Sequence, residues 1–153
     1  MATSTSAAAT EVTTKNPDEI MTEEIRKQII LMHNYRRSEL ALGRVRNGKE
    51  GNPNCPKAQN MLEMVYDMDL EVAAQAYADQ CHTSGSAIST RPLFGENFHI
   101  IPSRTINYCN ATVAAIKAWW SQIFSNGVNM QMLYTVTLHT KQQSPNKFTQ
   151  VSR

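Results

Sequence analysis

Apolar residues recur at helical spacing in two stretches of this chain and more weakly elsewhere. In the first stretch Ile25, Ile29, Met32 and Arg36 share one stripe with Leu40 below it, which predicts an amphipathic helix. Thr22 supplies an N-capping oxygen, Glu23 and Glu24 suit the positive end of the helix dipole, and Gly43 ends it. His33 lies beside the stripe and reads as a hydrogen-bonded packing residue rather than a ligand. In the second stretch Val113, Ile116, Trp120, Ile123 and Phe124 give a broad apolar face over residues 110–125. Asn110 is the expected N-cap there, and Asn126-Gly127 closes the helix.

The intervening segments carry shorter signals. Residues 44–56 hold three Asn, two Gly and two Pro and read as a loop. Residues 57–65 predict a short helix with Met61, Leu62 and Val65 turned inward. Asp69 is expected to cap a helix over 70–80, whose Ala73, Ala74, Ala76 and Ala78 suit close packing on a sheet. A Ser-rich loop over 83–92 then leads to an expected strand at 94–101, stopped by Pro102. Met132, Tyr134, Val136 and Leu138 alternate weakly and predict a further strand within 130–140.

With 153 residues, 41% of them hydrophobic, the chain suffices for one domain with a sizeable core. Residues 1–20 are the exception: their Ala-, Thr- and Ser-rich composition predicts a disordered tail or linker. That segment lacks the basic start and apolar run of a secretory signal peptide. The longest aliphatic run, Ile29-Ile30-Leu31-Met32, is far short of a membrane span. A formal charge of +2, with no basic cluster interleaved by aromatics, argues against nucleic acid as a partner. Cys55, Cys81 and Cys109 are an odd set, so at least one has no partner within the chain; either Cys81 pairs with Cys109 or all three are free thiols. Asn110-Ala111-Thr112 is an N-glycosylation acceptor sequence.

Five ordered motifs carry a family resemblance over about residues 22–151. His33-Asn34-Tyr35-Arg36-Arg37-Ser38 resembles an opening His-Asn-x-x-Arg-Ser helix, and Met64 to Glu71 with Ala73 to Cys81 resembles the segment that follows. Gly95-Glu96-Asn97-Phe98, the helix around Trp119, and Phe148-Thr149-Gln150 complete the series. Together they are similar to the CAP superfamily of cysteine-rich secretory, antigen 5 and pathogenesis-related proteins, with the flavour of nematode venom allergen-like, or activation-associated secreted, proteins. The resemblance implies an α+β fold, the α-β-α three-layer sandwich, with residues 21–153 forming a partial CAP domain. Its last strands are expected to be missing, because Ser152-Arg153 stand where the family continues with a Val-Trp strand. Met68 also stands where nematode relatives carry a cysteine.

Metal-binding members of that family set two histidines and two glutamates around a central cleft. The matching positions here are Gly85, Glu96, Gln122 and Lys147, so one glutamate is kept, the other is an amide, one histidine is missing and the second is a cation. The resemblance therefore implies no metal and no other cofactor, and Glu96 with Lys147 is expected to form a salt bridge filling the old cleft. No Ser-His-Asp, Cys-His or paired-carboxylate context stands out, so no catalytic residue is assigned and the chain is expected not to be an enzyme. By resemblance it is an extracellular protein that binds a host protein, a lipid or a sterol. A divalent-metal-dependent hydrolase or protease, or a truncated non-functional product, are the competing readings.

Overall fold

A computed structural model describes residues 21–103 and 105–152; the expected disordered tail, residues 1–20, lies outside them. Five α-helices follow in order: α1 Glu23–Ala41, α2 Met68–Ala78, α3 Tyr108–Asn126, α4 Val136–Thr140 and α5 Asn146–Ser152, with one 3-10 turn at Ile88–Thr90. None of the described helices is long and apolar enough to cross a membrane. The only β pairing among the described residues is an isolated antiparallel bridge between Arg46 and Asn54.

The two strongest periodic signals produce the two longest helices. Thr22 caps α1 by accepting from the Ile25 N–H at 3.3 Å. On α3, Ile116, Trp120 and Ile123 recur at i, i+4 and i+7 and are buried, while Phe124 at the edge of that face stays 40% exposed under the Arg46 guanidinium. Leu40 of α1 meets these residues together with Cys55 and with Phe148 and Val151 of α5, forming the core. Burial raises the Cys55 thiol above its ordinary range. All three cysteines are free, so Cys81 and Cys109 are not joined.

Several shorter expectations are corrected. Residues 57–65 form no helix: α1 side chains satisfy their backbone, Asn34 bonding both the Met64 N–H (2.8 Å) and C=O (3.0 Å). Arg37 holds the Leu62 carbonyl at 2.7 Å, and in this strapped conformation Leu62 and Val65 face solvent instead of the core. Residues 94–101 do not become a strand, since among the described residues no second segment shares a ladder with them. Residues 130–140 turn instead of extending. Asn129 closes a loop onto both backbone groups of Leu133, and Thr135 then caps α4. Capping positions shift as well: Asp67, not Asp69, caps α2, and Asn107, not Asn110, caps α3.

Helix α2 buries none of its residues, so the alanines expected to pack on a sheet are not used that way among the described residues. What ties it down is polar. Arg26 of α1 grips Glu71 with two bonds of 2.7 Å, and the Tyr66 hydroxyl donates to the same carboxylate at 2.7 Å. Burial, then that hydrogen bond, pushes Tyr66 up to about 12, while the Arg26 bonds hold the Glu71 carboxyl below its usual range. A double-mutant cycle of Arg26→Met and Glu71→Gln is expected to give a coupling of about 1–2 kcal/mol, since the forked pair is only partly shielded from water. Denaturant melts of the four proteins measure it; a coupling near zero would mean that α2 is held by something else.

Candidate functional site

The four cleft positions lie along one seam between residues 85–98, α3 and the start of α5. Gly85 abuts Glu96: a Cβ built on residue 85 would come 2.6 Å from Glu96 Oε1 and 3.4 Å from Phe98 Cβ. The space a larger side chain would need is therefore taken by the carboxylate. Glu96 is fixed there by Ser86, whose N–H donates to Oε1 at 2.8 Å and whose hydroxyl donates to Oε2 at 2.7 Å. Arg91 donates to the same hydroxyl at 2.9 Å and stands 3.7 Å from the carboxylate.

Lys147 does not meet Glu96, which corrects the expected salt bridge. Its Nζ donates instead to the Phe98 carbonyl at 2.7 Å, while Glu96 takes Arg91 as its ion partner. The reason is local: Arg91, five residues from Glu96, stands 3.7 Å from its carboxylate and shares Ser86 with it, which supplies the ion partner without Lys147. Ser86 and Arg91 were not singled out from the sequence. No pattern marks them, and their role appears only once the loop folds over Glu96.

Gln122 has a defined task. Its Oε1 accepts from the backbone N–H groups of Lys147 (2.9 Å) and Phe148 (3.3 Å), so an α3 side chain caps the first turn of α5. The neutral amide supplies the acceptor that the helix needs. Asn97 donates to the Lys147 carbonyl at 2.8 Å, and Gly95 lies so close to Gln150 that any side chain at 95 would run into its amide. Thr149 donates to the Asn146 carbonyl at 2.9 Å. The Gly-Glu-Asn and aromatic-Thr-Gln motifs, fifty residues apart, are thus in mutual contact.

The opening motif supports the same seam from below. Arg37 is buried and spans from the Leu62 carbonyl to the Val151 carbonyl at 3.0 Å, holding α5 from its C-terminal end. His33 is buried beside it, yet among the described residues its Nδ1 has no hydrogen-bond partner, nor has the indole N–H of Trp119 or Trp120. Burial, with Arg36 and Arg37 nearby, lowers His33 to about 4 and keeps it neutral near pH 7. This corrects the expectation of a hydrogen-bonded histidine, while its packing role stands.

No group of three or more His, Cys, Asp or Glu side chains that could hold a metal occurs among the described residues. His82 is directed elsewhere, stacked on Tyr77 with ring centroids 4.5 Å apart and bonded to Gln80 at 3.0 Å. His139 bonds Tyr134 at 2.6 Å in a separate segment. On the far side of α5 lies a cleft of about 290 Å³ walled by Leu40, Met61, Val128, Met132, Leu133 and Tyr134.

Helices α1, α3 and α5 pack on one another and set the aromatic-Thr-Gln segment of α5 against the Gly-Glu-Asn segment, an arrangement that points to one class of domain. The cysteine-rich secretory protein family (CAP) model matches residues 30–152, and the chain belongs to that family. It is 31% identical over 118 residues to Ancylostoma secreted protein of Ancylostoma caninum, covering 77% of this chain and 27% of that protein. It is 30% identical over 106 residues to Venom allergen 5 of Vespula pensylvanica, covering 67% of this chain and 50% of the relative. Among solved structures, NaASP2 with Zn2+ superposes with a TM-score of 0.80 at 32% identity, over 89% of this chain and 70% of that one. BmVAL-1 follows at 0.77 and 28%, over 89% and 66%. The fold is thus CAP-type α-β-α, though no strand is formed among the described residues, whose one β pairing is the isolated Arg46–Asn54 bridge. The chain spans 27% of the Ancylostoma protein's length and half of the Vespula protein's.

Proposed function

We propose that this chain is a module of an extracellular, venom-allergen-like CAP protein that acts by binding, without catalysis and without a metal. The observation that carries the reading is the way the cleft positions are spent. Gln122 caps α5, Lys147 bonds the Phe98 carbonyl, and Glu96 is engaged by Ser86 and Arg91. NaASP2 was solved with Zn2+, but the donor set here does not fit a zinc ion. One carboxylate is accompanied by a glycine, an amide oxygen already committed to two N–H groups, and an ammonium. The metal-dependent hydrolase reading has no residues to rest on. The extracellular location rests on the secreted and venom proteins that the chain resembles.

The ligand we favour is a lipid or sterol, with a host protein second, because the cleft beside α5 is walled mainly by aliphatic and methionine side chains. Calorimetric titration with zinc is expected to show no saturable binding, and a fluorescent sterol is expected to bind saturably and to weaken at least tenfold in Met132→Glu. Stoichiometric zinc binding that disappears in Glu96→Ala would overturn the first half of the reading. A sterol that never saturates would overturn the second and leave the host protein.

A further inference from the structure

The start of α3 carries two consecutive Asn-led triplets, the cysteine-ended Asn107-Tyr108-Cys109 and the N-linked acceptor sequence Asn110-Ala111-Thr112. They share a turn but not a fate. Asn107 is the helix cap, its Oδ1 accepting from the Asn110 N–H at 2.8 Å, which holds the side-chain amide over the end of the helix. Asn110 is exposed, and among the described residues its side-chain amide takes part in no hydrogen bond. The hydroxyl-bearing third residue, the feature that defines the acceptor, belongs to Asn110, because Thr112 follows it while a cysteine follows Asn107.

We propose that Asn110 is N-glycosylated and Asn107 is not. The proposal rests on the extracellular reading only for the compartment in which transfer occurs. In that step Asn110 Nδ2 bonds to the anomeric carbon of an oligosaccharide carried on a polyprenyl pyrophosphate. The carbon–oxygen bond to the pyrophosphate breaks, the pyrophosphate leaves with that electron pair, and the amide nitrogen releases one proton. The cap on α3 is untouched, because Asn107 keeps its acceptor oxygen and Asn110 contributes to that bond only its backbone N–H.

Position gives the modification its meaning. Asn110 precedes Gln122 by twelve residues on one helix, an axial separation of about 18 Å at 1.5 Å per residue. A glycan at Asn110 therefore covers the end of α3 near exposed Tyr108 and Cys109 and leaves the seam around Gln122 open.

The test is secretion of the full chain from eukaryotic cells behind a heterologous leader, so that export does not depend on the native route. The secreted protein is expected to carry one glycan, seen as a mass step removed by a peptide-N-glycan amidase. That step is lost completely in Asn110→Gln and Thr112→Ala and kept in Thr112→Ser and in Asn107→Asp, which preserves the cap. Thr112→Ala leaves both asparagines in place, so it reads the acceptor even if Asn110→Gln folds poorly. Secreted wild-type protein without sugar, or sugar that survives in Asn110→Gln, overturns the proposal. Zinc and sterol titrations on the same samples after amidase treatment report separately on the binding reading.

Discussion

Replacing Phe148 by alanine is expected to lower the free energy of unfolding by about 3–5 kcal/mol. Phe148 is fully buried and meets Trp120 edge to face, with ring centroids 5.3 Å apart and planes at 79°. Its loss removes the transfer energy of a large aromatic, adds a cavity, and breaks a favourable ring pair. The surroundings cannot easily collapse into the gap, because α5 is fixed at its start by Gln122 and at its end by Arg37. Denaturant melts measure the change as a shift in midpoint at constant slope. A loss below about 1 kcal/mol would show that α5 is peripheral to the core, contrary to its contacts with α1 and α3.

Stability is also expected to fall by about 3 kcal/mol as pH drops from 6.5 to 4, at 1.36 kcal/mol per unit of the His33 shift. The sign follows from burial. His33 titrates near 4 in the folded chain and near its ordinary 6.5 when unfolded, so between those values the unfolded state binds the extra proton. The stabilisation is fully present above 6.5, drains away as pH falls through the window, and does not decline further on this account below 4. Glu71 acts in the same direction but lower, since its carboxyl is held below the ordinary value and its contribution is lost only as pH falls beneath that value. Melts at half-unit steps from pH 7 to 5 therefore isolate His33. The slope is expected to flatten in His33→Gln; an unchanged slope would place the acid sensitivity in another group.

The two long helices were legible because their signals are redundant. In α1 the apolar period, the Thr22 cap and the acidic first turn all agree, and in α3 Ile116, Trp120 and Ile123 fall on the buried face as their spacing requires. Of the positions that the motifs single out, Gln122 bonds the backbone of Lys147, Asn97 bonds its carbonyl, and Gly95 abuts Gln150. What was illegible depends on partners that a linear reading does not show. Leu62 and Val65 look like core residues until Asn34 and Arg37 claim the backbone beside them. The pattern at 94–101 has strand composition, yet a strand exists only with a neighbour. Glu96 and Lys147 have opposite charges on facing segments, but Arg91 is nearer in sequence and reaches the carboxylate from its own loop. Asn107 and Asn110 are equally good caps by type; which one serves is settled by where the chain enters the helix.

Arg37 sets an order of events for a chain emerging from a ribosome. Its guanidinium binds the Leu62 carbonyl, 25 residues away, and the Val151 carbonyl, 114 residues away. Helix α1 and its strap can meet early, but the Val151 carbonyl joins them only when α5 docks. Closing that long loop costs chain entropy before any contact repays it. Until α5 docks, the charge is best left in water, and the apolar faces of α1 and α3 stay open with it. The core around Leu40 and Trp120 therefore cannot shut until α5 brings Phe148 and Val151 to it.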